Sequence, residues 1–459
     1  MSVSRNWSVV LVGECMACRP FSMHDDERFK GVLNLLRNSD VTYGHLEMNY
    51  AEYEEMDWPA KGDWLGSYML ADPKIANDLK WAGIDMMSLA HNHSFDYGAP
   101  GILSTIRYCK GAGLTVAGTG RDLEEAREPG YMETNKGRVA LVSVSSGNKS
   151  SEWASQPKAS MRGRPGINPL RLSMKYMVPP EAAEQLKSIA NKLDVLRNKA
   201  RGTMGVGMAE KDFGFIMPGE QSMSGANAFI EGDRFEIQST CHQRDLEGNL
   251  RSIDEAKTMA DLVMVAHHYN VSEGRRGDLP PKFVRQFAKA AIDAGADIYI
   301  GHGWHRTLGI EIYKGKPIIY GIGNFFAQSE FIRRVPFDSY ETWGHDVDRL
   351  NTLHPSAHPL HPGLDTPSDT WWSSAIISLD IQEGKLRAIK LHPVEMGREV
   401  TAEAKVLRST GSGPHTLTEG RPLMADPENG RRALERLQKL SALYGTKVDI
   451  KDNVGVITL

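Results

Sequence analysis

The stretch from Ala260 to Tyr320 decides the architecture of this 459-residue chain. Within it, DLVMVAHH (261–268) is a near-continuous apolar run, the pattern of a strand buried on both faces. PPKFVRQFAKAAIDAG (280–295) opens on proline and closes on glycine, the start and stop signals of a helix. DIYIGH (297–302) is a second buried strand, and GIEIYKGKPIIYGIGNF (309–325) reads as a hairpin turning at Lys314-Gly315-Lys316. Strand, helix and strand in this order make a crossover unit with parallel strands.

The same grammar recurs outward from this unit. Ala82-Gly83 precedes IDMMSLAHNH (84–93), Ala112-Gly113 precedes LTVAGTG (114–120), and Ala294-Gly295 precedes ADIYIGH (296–302). A glycine just past a helix end takes the left-handed conformation without a Cβ penalty. Helix, glycine and buried strand in alternation imply an α/β fold with a layered sheet.

Two stretches break the pattern. Residues from about 150 to 255 are richer in Arg, Lys, Ser and Pro. They hold a helix over Pro180–Ala200, with Leu186, Ile189, Leu193 and Leu196 on one face, and FIEGDRFEIQSTCHQRD (229–245), which reads as a strand pair. The second, Ala327 to Trp372, carries His345, His354, His358 and His361 among many prolines and reads as a long loop. A helix near Arg431–Tyr444 and the strand VGVITL (454–459) close the chain. The expected division is 1–150 and 256–400 as two halves of one domain, 151–255 as an α+β insertion covering the sheet or the site, and 401–459 as a tail.

Composition narrows the function. Hydrophobic residues at 41% and charged residues at 24% are those of an ordinary globular protein. A formal net charge of −4 argues against a nucleic-acid partner. Four cysteines in so long a chain make no disulfide framework, and the apolar run near the N-terminus is too short for a signal peptide or a membrane span. The expectation is a cytoplasmic protein with no membrane span, compatible with a homo-oligomer.

The informative feature is the chemistry at the end of each strand. WSVVLVG ends in Glu14, VTYGHL in Glu47, DMMSLA in His91-Asn92-His93, DLVMVA in His267-His268, and DIYIG in His302 with His305 three further on. Ligands of open α/β sheets bind outside the carboxyl ends of the strands. A lone Glu or His there is usually solvated or structural, but five such ends together predict a cluster. Mixed carboxylate, amide and imidazole donors suit Mn, Zn or Fe, so one or two divalent metal ions are expected.

LAHNHSFDYGAPGI (89–102) resembles the Ala-Asn-Asn-His-x-x-Asp-x-Gly stretch of the bacterial capsule-synthesis CapA family, also called poly-γ-glutamate synthesis proteins. ADLVMVAHHYN (260–270) and DAGADIYIGHGWHRTLGIEIYKGKPIIYGIGNF (293–325) resemble that family's later block, with its His-Trp-Gly and Gly-His-x-x-His elements. The resemblance covers residues of about 8–148 and 255–395. It implies a layered sandwich similar to calcineurin-like metallophosphatases, with ligands at strand carboxyl ends. It further implies that Glu47 bridges two metals, that Asn92, His268 and His302 bind one ion, and that Glu14 and His305 bind the other. Either His267 or His268 can be the ligand on this reading, and register favours His268. His93 would be the general acid, oriented by Asp96.

Some positions depart from the family pattern. Glu14 stands where the family has Asp, and Met16 where phosphatases of this fold supply a histidine, so one site is a ligand short. His91 replaces Asn, Tyr269-Asn270 replaces Trp-Gly, and Trp304 stands where Pro is usual. His91, His267, Trp304 and Arg306 are accordingly expected to face the substrate. Arg19, Arg306, Arg333 and Arg334 suit an anionic small molecule or polymer. The implied function is metal-dependent hydrolysis of an amide (γ-glutamyl-like) or phosphoester bond. The alternative is a non-catalytic polyglutamate- or capsule-polymer binding or assembly component. Cys15-Met16-Ala17-Cys18 has no second pair to complete a zinc knuckle and reads as packing and loop, with Cys18 near the site. GTGRDLEEAREP (118–129) lacks the Lys-Ser/Thr of a phosphate loop.

Overall fold

The computed structural model describes residues 6–58, 68–197, 213–215, 227–273, 277–328, 369–397 and 420–459. Arg333, Arg334 and the histidines expected in the long loop lie outside them. The chain divides into two compact units: Met1–Pro169 with Gly248–Asn270 and Ala288–Leu459, and Leu170–Glu247 with Val271–Phe287.

The larger unit is built on two sheets. The first runs in the order Asp449–Lys451, Val454–Thr458, Lys385–Met396, Ser373–Gln382, Trp7–Met16, Val41–Leu46, Met86–Ser88, Thr115–Ala117, and its last four strands are parallel. Asn324–Ala327 adds in parallel to the carboxyl end of Trp7–Met16. The second sheet runs Ile310–Tyr313, Lys316–Ile319, Ile298–His302, Leu262–Tyr269, Gly137–Ser146, Gly130–Thr134, with a parallel centre and an antiparallel hairpin at each edge. The crossover unit is therefore present, with helix Lys282–Asp293 between its two parallel strands.

Strand alternation explains the layering. Val9 and Leu11 point to one face and Val10 and Val12 to the other. The first pair shares a core with Leu141, Met264, Ile298 and Ile300 of the second sheet, so the two sheets pack face to face. The second pair packs with Phe29, Val32 and Leu36 of helix Glu27–Arg37, Ile75 and Leu79 of helix Ile75–Ala82, and Cys109 of helix Gly98–Gly111. The fold is α/β, with helices on a sheet and that sheet on another. Gly83, Gly113 and Gly295 take positive φ where helices stop, as their position in the sequence requires. Lys314 (φ 52°) and Gly315 (φ 76°) form the two-residue turn of the expected hairpin. No helix among the described residues is long and apolar enough to cross a membrane.

The smaller unit contains a five-stranded sheet in the order Leu196–Arg197, Phe213–Phe215, Asn227–Glu231, Leu172–Val178, Glu236–Cys241. Two expectations need correction here. The helix spans Pro180–Lys192, and Asp194 then turns with φ 55° into a strand; Ala183 and Ala190 are its buried face, while Ile189 and Leu193 are exposed. The two strands of FIEGDRFEIQSTCHQRD do not pair with each other, because Leu172–Val178 lies between them, parallel to one and antiparallel to the other.

Candidate metal centre

Parallel register gathers the polar residues into two rows. Asn324, Glu14, His45 and Ser88 are successive partners across four strands of the first sheet. Ser145, His268 and His302 are successive partners across three strands of the second. Both rows lie just beyond Leu11, Met86, Ala266 and Ile300, the last apolar layer of the shared core. Side chains that face inward at this level are cut off from water yet carry charge.

Glu14, Glu47 and His268 are wholly buried and present donor atoms within 4.8 Å of one another. His305 Nδ1 lies 2.5 Å from Glu14 Oε2 and 3.7 Å from Glu47 Oε2, and is 2.8 Å from Asn324 Oδ1. His302 Nδ1 is 4.0 Å from Glu14 Oε1. The turn after His302 is shaped around Glu14: the Gly303 N–H donates to Glu14 Oε1 at 2.6 Å, and His305 adopts φ 52°, an uncommon conformation for a residue with a Cβ.

Glu14 itself is fixed by a close backbone approach. Its N–H donates to the Gly323 carbonyl at 2.9 Å. A Cβ at Gly13 would lie 1.7 Å from that same oxygen. Gly13→Ala is expected to force the Trp7–Met16 and Asn324–Ala327 strands apart and lower stability by about 1–3 kcal/mol. Denaturant unfolding checks this, and an unchanged midpoint would contradict the tight packing.

Electrostatics reveal an unbalanced site. Burial alone would raise the Glu14 carboxyl, but His305, with help from His302 and His268, holds it well below the carboxylate range. Burial would lower His305, but Glu14 and Glu47 push it up to about 10. Glu47 rises to about 7, through burial and the neighbouring Glu14 charge, against His305. One imidazolium thus serves two carboxylates. Both Glu47 oxygens, His268 Nε2 and His302 Nδ1 are buried and meet no hydrogen-bond partner among the described residues. Each such orphan costs about 1–3 kcal/mol, and a cation is the group that oxygens and ring nitrogens of this kind accept. The residues fit a divalent metal.

Around this cluster, His93 Nδ1 pairs with Asp96 Oδ2 at 2.7 Å, and the same buried oxygen accepts from the Met69 N–H at 2.8 Å. The His93 charge acts on Glu47, so the dyad borders the cluster. Asn92 lies in the turn between His91 and His93, with its Oδ1 buried. Arg306 places its guanidinium 5.6 Å from the Trp304 ring, and both are half-buried. Arg19 is exposed, and its N–H and that of Cys18 donate to Gln328 Oε1.

Two substrate-facing expectations do not fit the structure. His267 is fully buried, with Nε2 bonded to Ser146 Oγ at 2.8 Å and Nδ1 to Tyr299 OH at 2.7 Å, a structural histidine. His91 is likewise buried, its Nδ1 accepting from the His93 N–H at 3.2 Å. Burial pushes the Cys15 thiol up, as an inert packing residue requires. GTGRDLEEAREP forms a short helix capped by Asp122, which accepts from the Glu125 N–H.

Sequence reasoning missed His45, Tyr43, Ser88, Asn324 and Trp371. His45 Nε2 lies 2.9 Å from His268 Nδ1, and the Trp371 ring packs 4.5 Å from that of His305. A signal for the first two existed: Tyr43, His45 and Glu47 alternate at the strand period of two.

Fold and site together define a layered α/β protein with a buried carboxylate–imidazole centre between two sheets. The profile of the bacterial capsule synthesis protein PGA_cap family matches residues 8–329, and the chain belongs to that family. It is 30% identical over 468 residues to an uncharacterized protein of Sinorhizobium fredii, covering 100% of this chain and 94% of that protein. It is 24% identical over 349 residues to the capsule biosynthesis protein CapA of Bacillus anthracis, covering 74% of this chain and 65% of CapA. A probable polyglutamine synthesis accessory protein of Mycobacterium tuberculosis is 26% identical over 242 residues, 52% of this chain and 43% of that protein.

Proposed function

We propose that this chain is a metal-dependent hydrolase of the calcineurin-like sandwich type, with Glu14, Glu47 and His268 holding a divalent ion, Mn, Zn or Fe. The carrying observation is the convergence of buried donor atoms without partners at the carboxyl ends of strands. When bound, such an ion supplies Lewis acidity. A second ion would fall to Glu14, Glu47 and His305 and would displace the Glu14–His305 ion pair. On this reading His93, whose Nδ1 bonds Asp96, would deliver a proton to the leaving group. Arg306 and Trp304 border the same turn and suit an anionic substrate, with an amide or a phosphoester as the scissile bond. Only four cysteines in so long a chain are in keeping with a cytoplasmic setting.

The names of the relatives favour a second reading, in which the chain binds polyglutamate or capsule polymer without turning it over. The His93–Asp96 dyad favours the first. The test is a panel of γ-glutamyl amides and phosphoesters with added Mn²⁺ or Zn²⁺. Turnover of one class, abolished by chelator and by His268→Ala, is the expected result. Tight polyglutamate binding without turnover, unaffected by chelator, would establish the second reading instead.

A further inference from the structure

His93 is gripped at two ends, and both grips meet at one residue. Its ring Nδ1 bonds Asp96 Oδ2 at 2.7 Å, and that oxygen accepts from the Met69 N–H at 2.8 Å. Its backbone carbonyl accepts from Asn49 Nδ2 at 2.7 Å. The same Nδ2 also donates to the Met69 carbonyl at 3.1 Å, which accepts from the Asn49 N–H as well, at 2.9 Å. His93, Asp96, Met69 and Asn49 thus close a ring of hydrogen bonds, with the Met69 N–H serving one half and its carbonyl the other.

The Asn49 amide admits one orientation. Two carbonyls face its Nδ2, and a flipped amide would set an oxygen against both. Helix Gly98–Gly111 closes the other side: a Cβ at Gly101 would lie 3.0 Å from Asn49 Oδ1 and 2.8 Å from Tyr97 Cβ. Asn49 and Asp96 are both buried, and Asn49–Tyr50 pairs in parallel with Leu70–Ala71. The backbone already satisfies the Met69 carbonyl, so the bond that this side chain alone supplies is the one to His93. Asn49 also follows Glu47 by two residues, which ties the His93 turn to the segment that carries a proposed ligand.

We infer that Asn49 is a positioning residue, which holds His93 where its ring can reach a leaving group. The bond within the turn, from the Asp96 N–H to the His93 carbonyl, is longer at 3.2 Å and does not anchor the turn to its surroundings. Asn148 Nδ2 and Ser94 Oγ hold the opposite end of the turn, at the His91 carbonyl, over 3.2 and 2.8 Å. Loss of the Asn49 amide therefore loosens the His93 end and leaves the His91 end in place. The chemical part of this inference rests on the proposed hydrolase reading; the geometric part does not.

Asn49→Ala tests both parts, with Asn49→Ser in its place if the alanine variant does not fold. Help from a general acid matters most where the leaving group is poor. On an alkyl phosphoester or alkyl amide, kcat should fall about 10–100-fold with KM and bound metal little altered, the usual cost of a misplaced group. On p-nitrophenyl phosphate or a p-nitroanilide, whose leaving groups need less help, kcat should change far less. Equal losses on both kinds of substrate would overturn the inference, because a merely structural residue slows both alike. Hydrogen–deuterium exchange reads the geometry without turnover. Peptides covering 91–97 should exchange about 10-fold faster in the variant, while those covering Leu262–Tyr269 stay unchanged. Unchanged exchange in the turn, or a rise throughout the chain, would overturn the inference whatever the activity. A wild type that hydrolyses neither substrate class, with the turn loosened in the variant, would sink the hydrolase reading and leave Asn49 as the residue that holds His93.

Discussion

Glu47→Gln is expected to stabilise the metal-free protein while weakening its binding of Mn²⁺ or Zn²⁺ by about 100-fold or more, since loss of a supporting residue alone commonly costs 10–100-fold. Both Glu47 oxygens are buried without a hydrogen-bond partner among the described residues, and the neighbouring Glu14 carboxylate repels its charge. Without metal, the folded protein therefore favours the neutral acid, and the carboxyl rises from its ordinary 4.5 to about 7. Between those values the folded chain holds a proton that the unfolded chain has released. Stability then falls as pH rises through that window and stays low above it. The gap corresponds to about 3 kcal/mol. Glutamine has no such proton, so the variant's advantage should be absent near pH 4.5, grow towards pH 7 and level off beyond it. Denaturant unfolding at several pH values reads the difference. Equal stability of the two proteins at pH 8 in chelator would show that the carboxylate is not under this tension.

The second large effect concerns proton delivery. His93→Ala should lower turnover by about 10²–10⁴-fold, the usual worth of a positioned general acid. Bound metal should be unchanged, because the His93 ring bonds Asp96 and stands beside the buried cluster. The loss should fall on kcat with KM little altered. Asp96→Asn should give a smaller loss by the same route, since Asp96 Oδ2 fixes the ring. Loss of metal along with activity would make His93 a structural or ligating residue instead of a proton donor.

Much of the layering was legible because its signals are local. The Ala-Gly stops, the buried runs DLVMVA and DIYIG, and the Lys314-Gly315 turn need only neighbouring residues to be read. The site was legible where a polar residue interrupts an apolar strand, as at Glu14, His268 and His302. His45 escaped because VTYGHL looks like an ordinary strand with one stray histidine. Its meaning comes from register: Glu14 on one side, Ser88 on the other, and His268 across the sheet interface. The same limit produced the His267 expectation. His267 and His268 are adjacent in sequence but point to opposite faces, one to Ser146 and Tyr299, the other to the cluster. In the smaller unit, a long-range strand entering between two others could not be read from their spacing. The helix after Pro180 read too long because its apolar period runs on past Lys192, while Asp194 turns the backbone.

The central claim is that buried carboxylates and imidazoles between the two sheets form a metal site. The most direct measurement is the metal content of chelator-treated protein after titration with Zn²⁺ or Mn²⁺ and gel filtration, compared among wild type, Glu47→Gln and His268→Ala. At least one ion retained per wild-type chain, and lost from both variants, is the expected result. No retained ion in the wild type, or equal content in all three proteins, would contradict the claim.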